Sequence, residues 1–129
     1  MAEPFTAAAT TVWRHGQASV GSRLVPEETA VAFTYGGSTQ AVMMATPADL
    51  EDFAVGFTLT EGIAASPADI LAVETIESDL GIELRIDLAE ARAERLTARR
   101  RALAGPVGCG LCGIESLEEA ARAAPMVAG

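Results

Sequence analysis

The chain has 129 residues, of which 50% are hydrophobic and 21% charged, with a formal net charge of −9 at pH 7. This composition fits one globular domain with its own core, and it excludes a disordered chain, a collagen helix and a coiled coil. No apolar run is long enough to span a bilayer, and residues 1–11 lack the basic and apolar regions of a secretory signal, so we expect a cytoplasmic protein without a membrane partner.

Acidic side chains dominate the charged positions. There are 18 acidic residues against 9 basic ones, and the stretch from Leu24 to Leu84 holds eleven acids and no base. This balance disfavours nucleic acid as a partner, because phosphate groups need a basic surface. Five arginines cluster further along: Arg92, Arg95, Arg99, Arg100 and Arg101. These arginines form either a solvated helix face or an anion-binding site. We favour the interpretation that acids of the stretch from Leu24 to Leu84 balance their charge across the fold.

The first predicted strands follow an N-terminal segment. Residues 1–22 are small and polar, with Trp13 as the only very large side chain, and are interpreted as a segment leading into the domain. Thr29–Tyr35 and Gln40–Ala45 are rich in β-forming residues. The four residues 36–39 (Gly-Gly-Ser-Thr) separate them, which predicts a β-hairpin with a four-residue loop.

A helix is predicted after this hairpin. Thr46 suits the N-cap position and Pro47 the first helical position. Gly62 marks the predicted end. One face is expected to be buried, because its apolar residues recur at helical spacing: Leu50, Phe53, Ala54 and Phe57.

The remaining elements are two strands and two helices. Leu71–Ile76 and Ile82–Leu88 are predicted strands joined by a turn. Ala89–Ala104 has strong helix formers but a weak apolar face, so an exposed helix is expected. Ser116 and Glu119 form a capping-box pattern that opens a short final helix. The residues therefore predict an α/β fold with a helix between two hairpin-like strand pairs.

Both cysteines of the chain lie between the last two predicted helices. Cys109 and Cys112 stand in the glycine-rich segment 105–113, which lets a partner approach the sulfurs, and the helix start at Ser116 favours a thiolate. The spacing leaves four alternatives open: a zinc site, a thioredoxin-like redox pair, two unreactive cysteines, and a sulfur carrier that holds a persulfide. Zinc is the poorer fit, because His15 brings the conventional ligands to only three.

A zinc nucleobase deaminase is a further alternative that the residues disfavour. Its signature includes His-x-Glu and Pro-Cys-x-x-Cys. In this chain Gln17 stands where the glutamate should be, and Pro106 is not adjacent to Cys109.

Four sequence blocks occur in order and at fitting intervals within residues 20–120. They are Glu27–Thr29, Met44–Glu51, Ala54–Ile63 and Gly108–Gly113. Together they resemble the FdhD family, the formate dehydrogenase accessory sulfurtransferases. The resemblance implies an enzyme of sulfurtransferase type: a sulfur carrier that takes sulfur from a cysteine desulfurase and passes it to the molybdenum bis-guanine-dinucleotide cofactor required by formate dehydrogenase.

The resemblance also implies roles for both cysteines and a fold. Cys109 would bear the persulfide, and Cys112 would be its partner in sulfur handling. The molybdenum cofactor is the acceptor, so no permanently bound cofactor and no resident metal are expected, and no residue is assigned to the guanine-nucleotide site. The family fold resembles cytidine deaminase, with a mixed sheet flanked by helices, and its members are usually dimeric, so a homodimer is an expected assembly.

The fold is expected to be incomplete relative to the family. Residues 1–22 would lead into 23–129, the N-terminal half of an FdhD-like domain, and the glycine-rich cofactor-binding segments of the family's second half have no counterpart. The alternative function is a non-catalytic binding module or chaperone that docks a partner through the CxxC loop. A half-length unit leaves apolar surface uncovered, so we expect the chain to associate or to be marginally folded.

Overall fold

The computed structural model describes residues 2–99 and 117–126. The elements in chain order are β1 (Phe5–Arg14), β2 (Gln17–Pro26), β3 (Thr29–Tyr35), β4 (Ser38–Ala45), α1 (Leu50–Thr60), a short 3-10 helix (Pro67–Asp69), β5 (Ile70–Ser78), β6 (Gly81–Leu88), α2 (Glu90–Arg99) and α3 (Leu117–Ala120). Four strands form one sheet in the order β4-β3-β6-β5, while β1 and β2 form a separate two-stranded sheet. Because β3 and β6 run parallel and the other neighbours antiparallel, the mixed α/β sheet expected from the sequence is confirmed.

The β3–β4 hairpin is tighter than the sequence predicts. Gly36 and Gly37 form the turn with φ values of 57° and 78°, the left-handed geometry that two-residue hairpin turns require. Ser38 and Thr39 already belong to β4, opposite Tyr35 and Thr34. The predicted four-residue loop is therefore wrong, because these two polar residues continue the strand instead of the turn.

Helix α1 begins later than predicted. The N-cap is Asp49, which has a left-handed backbone (φ 50°), and the first helical residue is Leu50. Thr46 and Pro47 precede the helix, and the Ala48 N–H donates to the Thr46 carbonyl at 2.8 Å to close a turn. The predicted N-cap at Thr46 is therefore wrong: this turn occupies the residues that would have formed the first helical turn.

The predicted end and buried face of α1 are confirmed. Gly62 has a φ of 67°, and its N–H donates to the Leu59 carbonyl at 3.0 Å. Ala54 is fully buried, and the side chains of the other three predicted face residues pack against the core. The ring of Phe33 in β3 lies 5.0 Å from that of Phe53 and 4.2 Å from that of Phe57, centroid to centroid. This face of the sheet and α1 thus form the hydrophobic core.

Gly56 lies on the exposed side of α1. A β carbon added there would meet no atom within 4 Å, and the residue does not require a left-handed backbone. We expect Gly56→Ala to stabilise the chain by roughly 0.5–1 kcal/mol, because alanine loses less backbone entropy in a helix. Urea unfolding followed by circular dichroism measures the change, and an unfolding free energy equal to or below that of wild type would contradict the expectation.

The second half of the sheet follows the sequence prediction. Strands β5 and β6 pair around a turn at Asp79 and Leu80, and each is slightly longer than predicted. Helix α2 starts one residue after the predicted start. Its Leu96 is only 6% exposed, so this helix is not exposed on every side as the sequence predicts. Residues 100–104 of the predicted helix and the capping residue Ser116 lie outside the described residues. Among the helices in the described ranges, none is long and apolar enough to cross a membrane.

The N-terminal residues form an antiparallel hairpin. Its register runs from Phe5 opposite Pro26 to Arg14 opposite Gln17, and the turn residues have φ values of 52° (His15) and 76° (Gly16). The interpretation of residues 1–22 as a leading segment assigned no strand here, and β2 continues past residue 22. The hairpin is joined to the main sheet by the two-residue link before β3.

Candidate functional site

The predicted catalytic pair lies outside the described residues. Cys109 and Cys112 fall between α2, described to Arg99, and α3, which begins at Leu117. The described residues therefore define the two elements that flank the cysteine segment. They do not place either sulfur, so the choice among zinc, redox and persulfide chemistry stays a prediction. Within residues 2–99 and 117–126, no three His, Cys, Asp or Glu side chains are grouped so that they could hold a metal ion.

Helix α2 is held against the core by an apolar contact and an ion pair. Leu96 belongs to the buried cluster that includes Ile63 and Ile86. One turn earlier, Nε of Arg92 lies 3.2 Å from a carboxylate oxygen of Asp69, and both side chains are about three-quarters buried (25% and 24% exposed). The Ala89 N–H also donates to the Asp69 carbonyl at 2.8 Å. The helix that leads towards the cysteine segment is thus fixed at its first turns.

Asp69 is placed by the loop before β5. The N–H groups of Ala65 and Ser66 donate to its carboxylate at 2.9 and 3.2 Å. These hydrogen bonds, and after them the Arg92 charge, hold the pKa of Asp69 below its ordinary value. Asp69 belongs to the acidic stretch from residue 24 to 84. Its ion pair with Arg92 confirms, for this one arginine of the cluster, the prediction that an acid of that stretch balances the positive charge. Arg95 is exposed, and Arg100 and Arg101 lie outside the described residues.

The lowered pKa of Asp69 gives a pH-dependent stability. A carboxyl group with a lowered pKa stabilises the folded state above its unfolded-state pKa, and this contribution is lost as the pH falls through the folded-state pKa. We therefore expect wild type to lose more stability between about pH 5 and pH 3 than Asp69→Asn. Urea unfolding at several pH values tests this.

The matched control for that experiment is Asp79→Asn. It removes the same charge from the exposed β5–β6 turn and should leave the pH profile of wild type unchanged. Parallel pH profiles of wild type and Asp69→Asn would show that the hydrogen bonds and the ion pair of the Asp69 carboxylate do not give the chain a pH-dependent stability.

A buried hydroxyl pair lies where β3 ends. The hydroxyls of Tyr35 and Thr58 are 2.8 Å apart, and Thr58 donates its own proton to the Ala54 carbonyl at 2.7 Å. Since threonine has one hydroxyl proton, Tyr35 must donate to Thr58. Burial raises the pKa of Tyr35 to about 12, and the negative charge of Glu61 acts in the same direction. Tyr35 therefore remains a protonated phenol near neutral pH, and its hydrogen bond to Thr58 fixes α1 to β3.

Cavities lie on two sides of Leu96. One of about 190 Å³ is at the carboxyl ends of the parallel strands β3 and β6, an edge where α/β proteins commonly bind ligands. Its lining residues are Tyr35, Gly36, Ser38, Ile86, Asp87, Leu88, Ala93 and Leu96. The other, of about 220 Å³, is lined by Gly62, Ile63, Arg92, Arg95 and Leu96. Both are smaller than the roughly 300–1,000 Å³ of pockets that enclose a drug-sized ligand, so each suits one small group.

These two cavities differ in charge. The lining of the first includes the acidic residue Asp87, whereas the lining of the second includes the basic residues Arg92 and Arg95. Because Arg92 already pairs with Asp69, the second cavity has one exposed arginine, Arg95, available for an anion.

Helix α3 lies on the opposite face of the sheet. Leu117 packs over Gly81, whose added β carbon would lie 3.2 Å from the Leu117 side chain. A third cavity, of about 140 Å³, separates α3 from the sheet and is lined by residues that include Thr34 and Glu83. The segment with both cysteines is thus flanked by α2 on the α1 face of the sheet and by α3 on the other face.

Sequence reasoning missed the contacts that hold these elements. Asp69 had a local signal, since Ser66-Pro67-Ala68-Asp69 has a capping residue, a proline at the first position and an acid at the third. The pairing of Asp69 with Arg92 had no local signal in the sequence, because the two residues are distant in the chain. The hydrogen bond from Tyr35 to Thr58 is also non-local. The blocks Met44–Glu51 and Ala54–Ile63 form the β4–α1 connection and α1 itself.

Comparisons with known proteins agree on one family. Residues 26–128 match the FdhD/NarQ family. A protein of Agrobacterium fabrum named "Sulfur carrier protein FdhD" is 59% identical over 117 residues, which cover 91% of this chain and 43% of that protein. A protein of the same name from Bordetella petrii is 50% identical over 111 residues, covering 86% of this chain and 40% of that protein.

One solved structure is similar in fold. It is a crystal structure from Desulfotalea psychrophila of a protein assigned as a formate dehydrogenase accessory protein, with a TM-score of 0.57 and 22% sequence identity. The match covers 67% of this chain and 38% of that one. The chain thus spans about two-fifths of the length of the relatives that it matches.

Proposed function

The chain belongs to the FdhD/NarQ family, and on this premise we propose that it is a sulfur carrier in the maturation of formate dehydrogenase. It would receive sulfur from a cysteine desulfurase and pass it to the molybdenum bis-guanine-dinucleotide cofactor. The observation that carries the proposal is the 59% identity to a sulfur carrier protein over 91% of this chain. The family match at residues 26–128 includes Cys109 and Cys112.

Loading is a thiolate exchange at Cys109. Its thiolate attacks the terminal sulfur of the donor's persulfide, the donor's sulfur–sulfur bond breaks, and a new one forms on Cys109. The donor cysteine leaves as a thiolate, so the exchange involves no net oxidation. The cytoplasm is the proposed location, because its thiol pools keep such a cysteine reduced.

Delivery needs two electrons, which the cysteine pair supplies. The Cys112 thiolate attacks the inner sulfur of the Cys109 persulfide, a Cys109–Cys112 disulfide forms, and the terminal sulfur leaves as hydrosulfide to the acceptor. A cellular thiol reductant then restores both cysteines. Without a bound acceptor the same step would release sulfide to solvent, so acceptor binding must precede the attack.

The described elements support this role by holding the two ends of the cysteine segment. Arg92 and Leu96 fix α2 on one face of the sheet, and Leu117 packs on the other. From the sequence we expect the glycines of this segment to let a donor, and then an acceptor, approach the sulfurs closely. We also propose that the sheet and its helices are part of a cytidine-deaminase-like fold.

The test is sulfur loading by a cysteine desulfurase. The chain is incubated with the desulfurase and cysteine, and its intact mass and peptide masses are measured. A gain of one sulfur atom on Cys109 supports the carrier. Unmodified thiols in a chain that still binds the desulfurase would instead support the second candidate, a non-catalytic module that docks a partner through the CxxC segment.

A further inference from the structure

Helix α2 is held on the sheet by few side chains. Its side chains are described for residues 90–96, and among these Leu96 is buried, Arg92 is partly buried and the others are exposed. Helix α1 is about as long, yet all four of its apolar face residues pack in the core. Because the stabilisation from apolar burial grows with the area removed from water, α2 is held less strongly than α1.

The space around Leu96 is also incompletely filled. The cavities of about 190 Å³ and about 220 Å³ lie on its two sides. Ala93, one turn earlier on the helix, lines the first of them together with Ile86 and Leu88. A side chain beside a void lacks contact partners on that side, so it gains less dispersion energy than in a close-packed interior. Leu96 therefore holds α2 through contacts that are incomplete on two sides.

Asp69 is connected to the start of α2 through two groups. Its main-chain carbonyl accepts a hydrogen bond from the Ala89 N–H at 2.8 Å, just before the first helical residue. Its carboxylate lies 3.2 Å from Nε of Arg92, and we call this ion pair the latch. The hydrogen bond of Ala89 can persist while the helix turns away, whereas the latch must break because Arg92 lies within the helix. The contacts therefore place a hinge at Ala89 and the latch one turn further on.

We propose that α2 is a flap that opens about Ala89 as one unit, while the four-stranded sheet and α1 stay folded. Opening breaks the latch and withdraws Leu96 from the buried cluster that it shares with Ile63 and Ile86. A helix of ten residues is marginal in water by itself, so the opened α2 also loses its helical hydrogen bonds. The free energy of such a local opening lies between that of fraying chain ends and that of global unfolding.

The flap gives the sulfur carrier a moving part, and this role rests on the proposed function. The segment with Cys109 and Cys112 follows α2 directly in the chain. When α2 opens, its ten residues join the chain between the hinge and Cys109, so the sulfur reaches positions that it cannot reach while the helix is closed. The other end of the segment stays attached where Leu117 packs over Gly81. Opening therefore assists the meeting of Cys109 with its donor, and the rate of sulfur loading should follow the frequency of opening.

Hydrogen exchange of the 129-residue chain at neutral pH, followed by peptide mass spectrometry, tests the opening itself. We expect the amides of α2 to exchange at least about a hundredfold faster than those of α1, relative to the rates of the unfolded chain. Low concentrations of urea should accelerate exchange in α1 but not in α2, because a local opening exposes little surface. Equal protection and equal urea dependence of the two helices would overturn the proposal, since the helices would then open together. An α2 without any protection would also overturn it, since the closed flap would not be the main state.

Substitutions of two nearby alanines test the packing of the flap. Ala93→Leu extends an apolar side chain into the cavity of about 190 Å³ beside Leu96 and should slow exchange of α2 at least about tenfold. Ala91→Leu makes the same chemical change at an exposed position of α2 that lines neither of the two cavities, so exchange should stay as in wild type. Both changes alter helix propensity alike, so equal exchange in the two variants would contradict the role of the packing around Leu96.

Asp69→Asn tests the latch. It keeps the main-chain carbonyl that holds Ala89 and removes the charge that pairs with Arg92, so α2 should exchange roughly fivefold faster while α1 is unaffected. Unchanged exchange in α2 would show that the ion pair does not act as a latch. An equal acceleration in α1 would show that the substitution weakens the whole domain and not the flap.

The rate of sulfur loading by a cysteine desulfurase tests what the flap does for the carrier. Loading should be slower in Ala93→Leu, faster in Asp69→Asn and unchanged in Ala91→Leu. Equal loading in all three variants, with hydrogen exchange altered as expected, would overturn the role of the flap in sulfur transfer. A wild-type chain that takes up no sulfur would instead refute the proposed function, and hydrogen exchange would still decide whether α2 opens.

Discussion

Cys109→Ala is expected to abolish sulfur loading by a cysteine desulfurase, while Cys112→Ala retains some loading but delivers sulfur poorly. Alanine at position 109 removes the thiolate that attacks the donor persulfide, and no other described or predicted group replaces it. Alanine at position 112 leaves that nucleophile in place. It removes the thiol that releases the outer sulfur, so delivery then depends on an external thiol.

Peptide mass spectrometry of the loaded chain measures the first step, and transfer of labelled sulfur to the molybdenum cofactor measures the second. Cys112→Ala is the matched control for Cys109→Ala, since it removes one thiol from the same segment. Equal loading of wild type and Cys109→Ala would refute the persulfide role of Cys109. A Cys112→Ala variant that delivers sulfur as fast as wild type would exclude Cys112 from the release step.

Gly81→Ala is expected to destabilise the chain by roughly 3 kcal/mol or more. Gly81 opens β6 with a φ of 145°, which side chains rarely adopt, and an added β carbon would collide with the Ala30 carbonyl oxygen. That oxygen belongs to the backbone of β3, next to the first parallel pair of Val31 with Ile82, so it cannot move without opening the centre of the sheet. A loss of this size is a large part of the stability of an ordinary domain.

Gly36→Ala separates the collision from the backbone strain. Gly36 also has a positive φ, of 57°, but an added β carbon there meets no atom within 4 Å. Its substitution should cost only about 1–2 kcal/mol, the strain of a left-handed alanine. Urea unfolding of both variants gives the comparison, and equal losses would show that the contact with Ala30 relaxes at little cost.

The elements that the sequence predicts correctly are those with strong local patterns. Thr29–Tyr35 is confirmed to the residue, because a run of β-branched and aromatic residues ends at two glycines. The buried face of α1 is confirmed because Phe53 and Phe57 recur at helical spacing. The predicted start of that helix is wrong. Thr46 and Pro47 are as typical of a turn as of a helix start, and in the structure they form a turn.

The N-terminal hairpin shows where local patterns are too weak. Between Phe5 and Trp13 nearly all positions are alanine or threonine, so the alternation of apolar and polar residues that marks a strand has little contrast here. The dipeptide His15-Gly16, which forms the turn of this hairpin, was the local signal that could have indicated it. The parallel register of β3 with β6 has no local signal, because it depends on which surfaces pack together after the chain has folded.

In the candidate site, too, the sequence predicts the features that are local and misses the contacts that depend on the fold. Cys109 and Cys112 are identified from spacing and from the glycines around them, which are local features, and their geometry remains a prediction. The sequence predicts only that acids of the acidic stretch balance the charge of the arginine cluster. It does not predict the specific ion pair of Arg92 with Asp69. Which acid meets which arginine is decided by the loop that ends in Asp69.

We expect the parallel pairing at the centre of the sheet to set the order in which the chain folds. The β3–β4 and β5–β6 hairpins have short turns, so each forms by a local encounter within microseconds. The pairing of β3 with β6 joins positions 31 and 82 and must first close the long stretch between them, so we expect it to be the slow step. Until then each hairpin exposes the side that Phe33 and Leu84 bury in the folded chain. This interval, before the two halves meet, is when newly made chains are most exposed to aggregation.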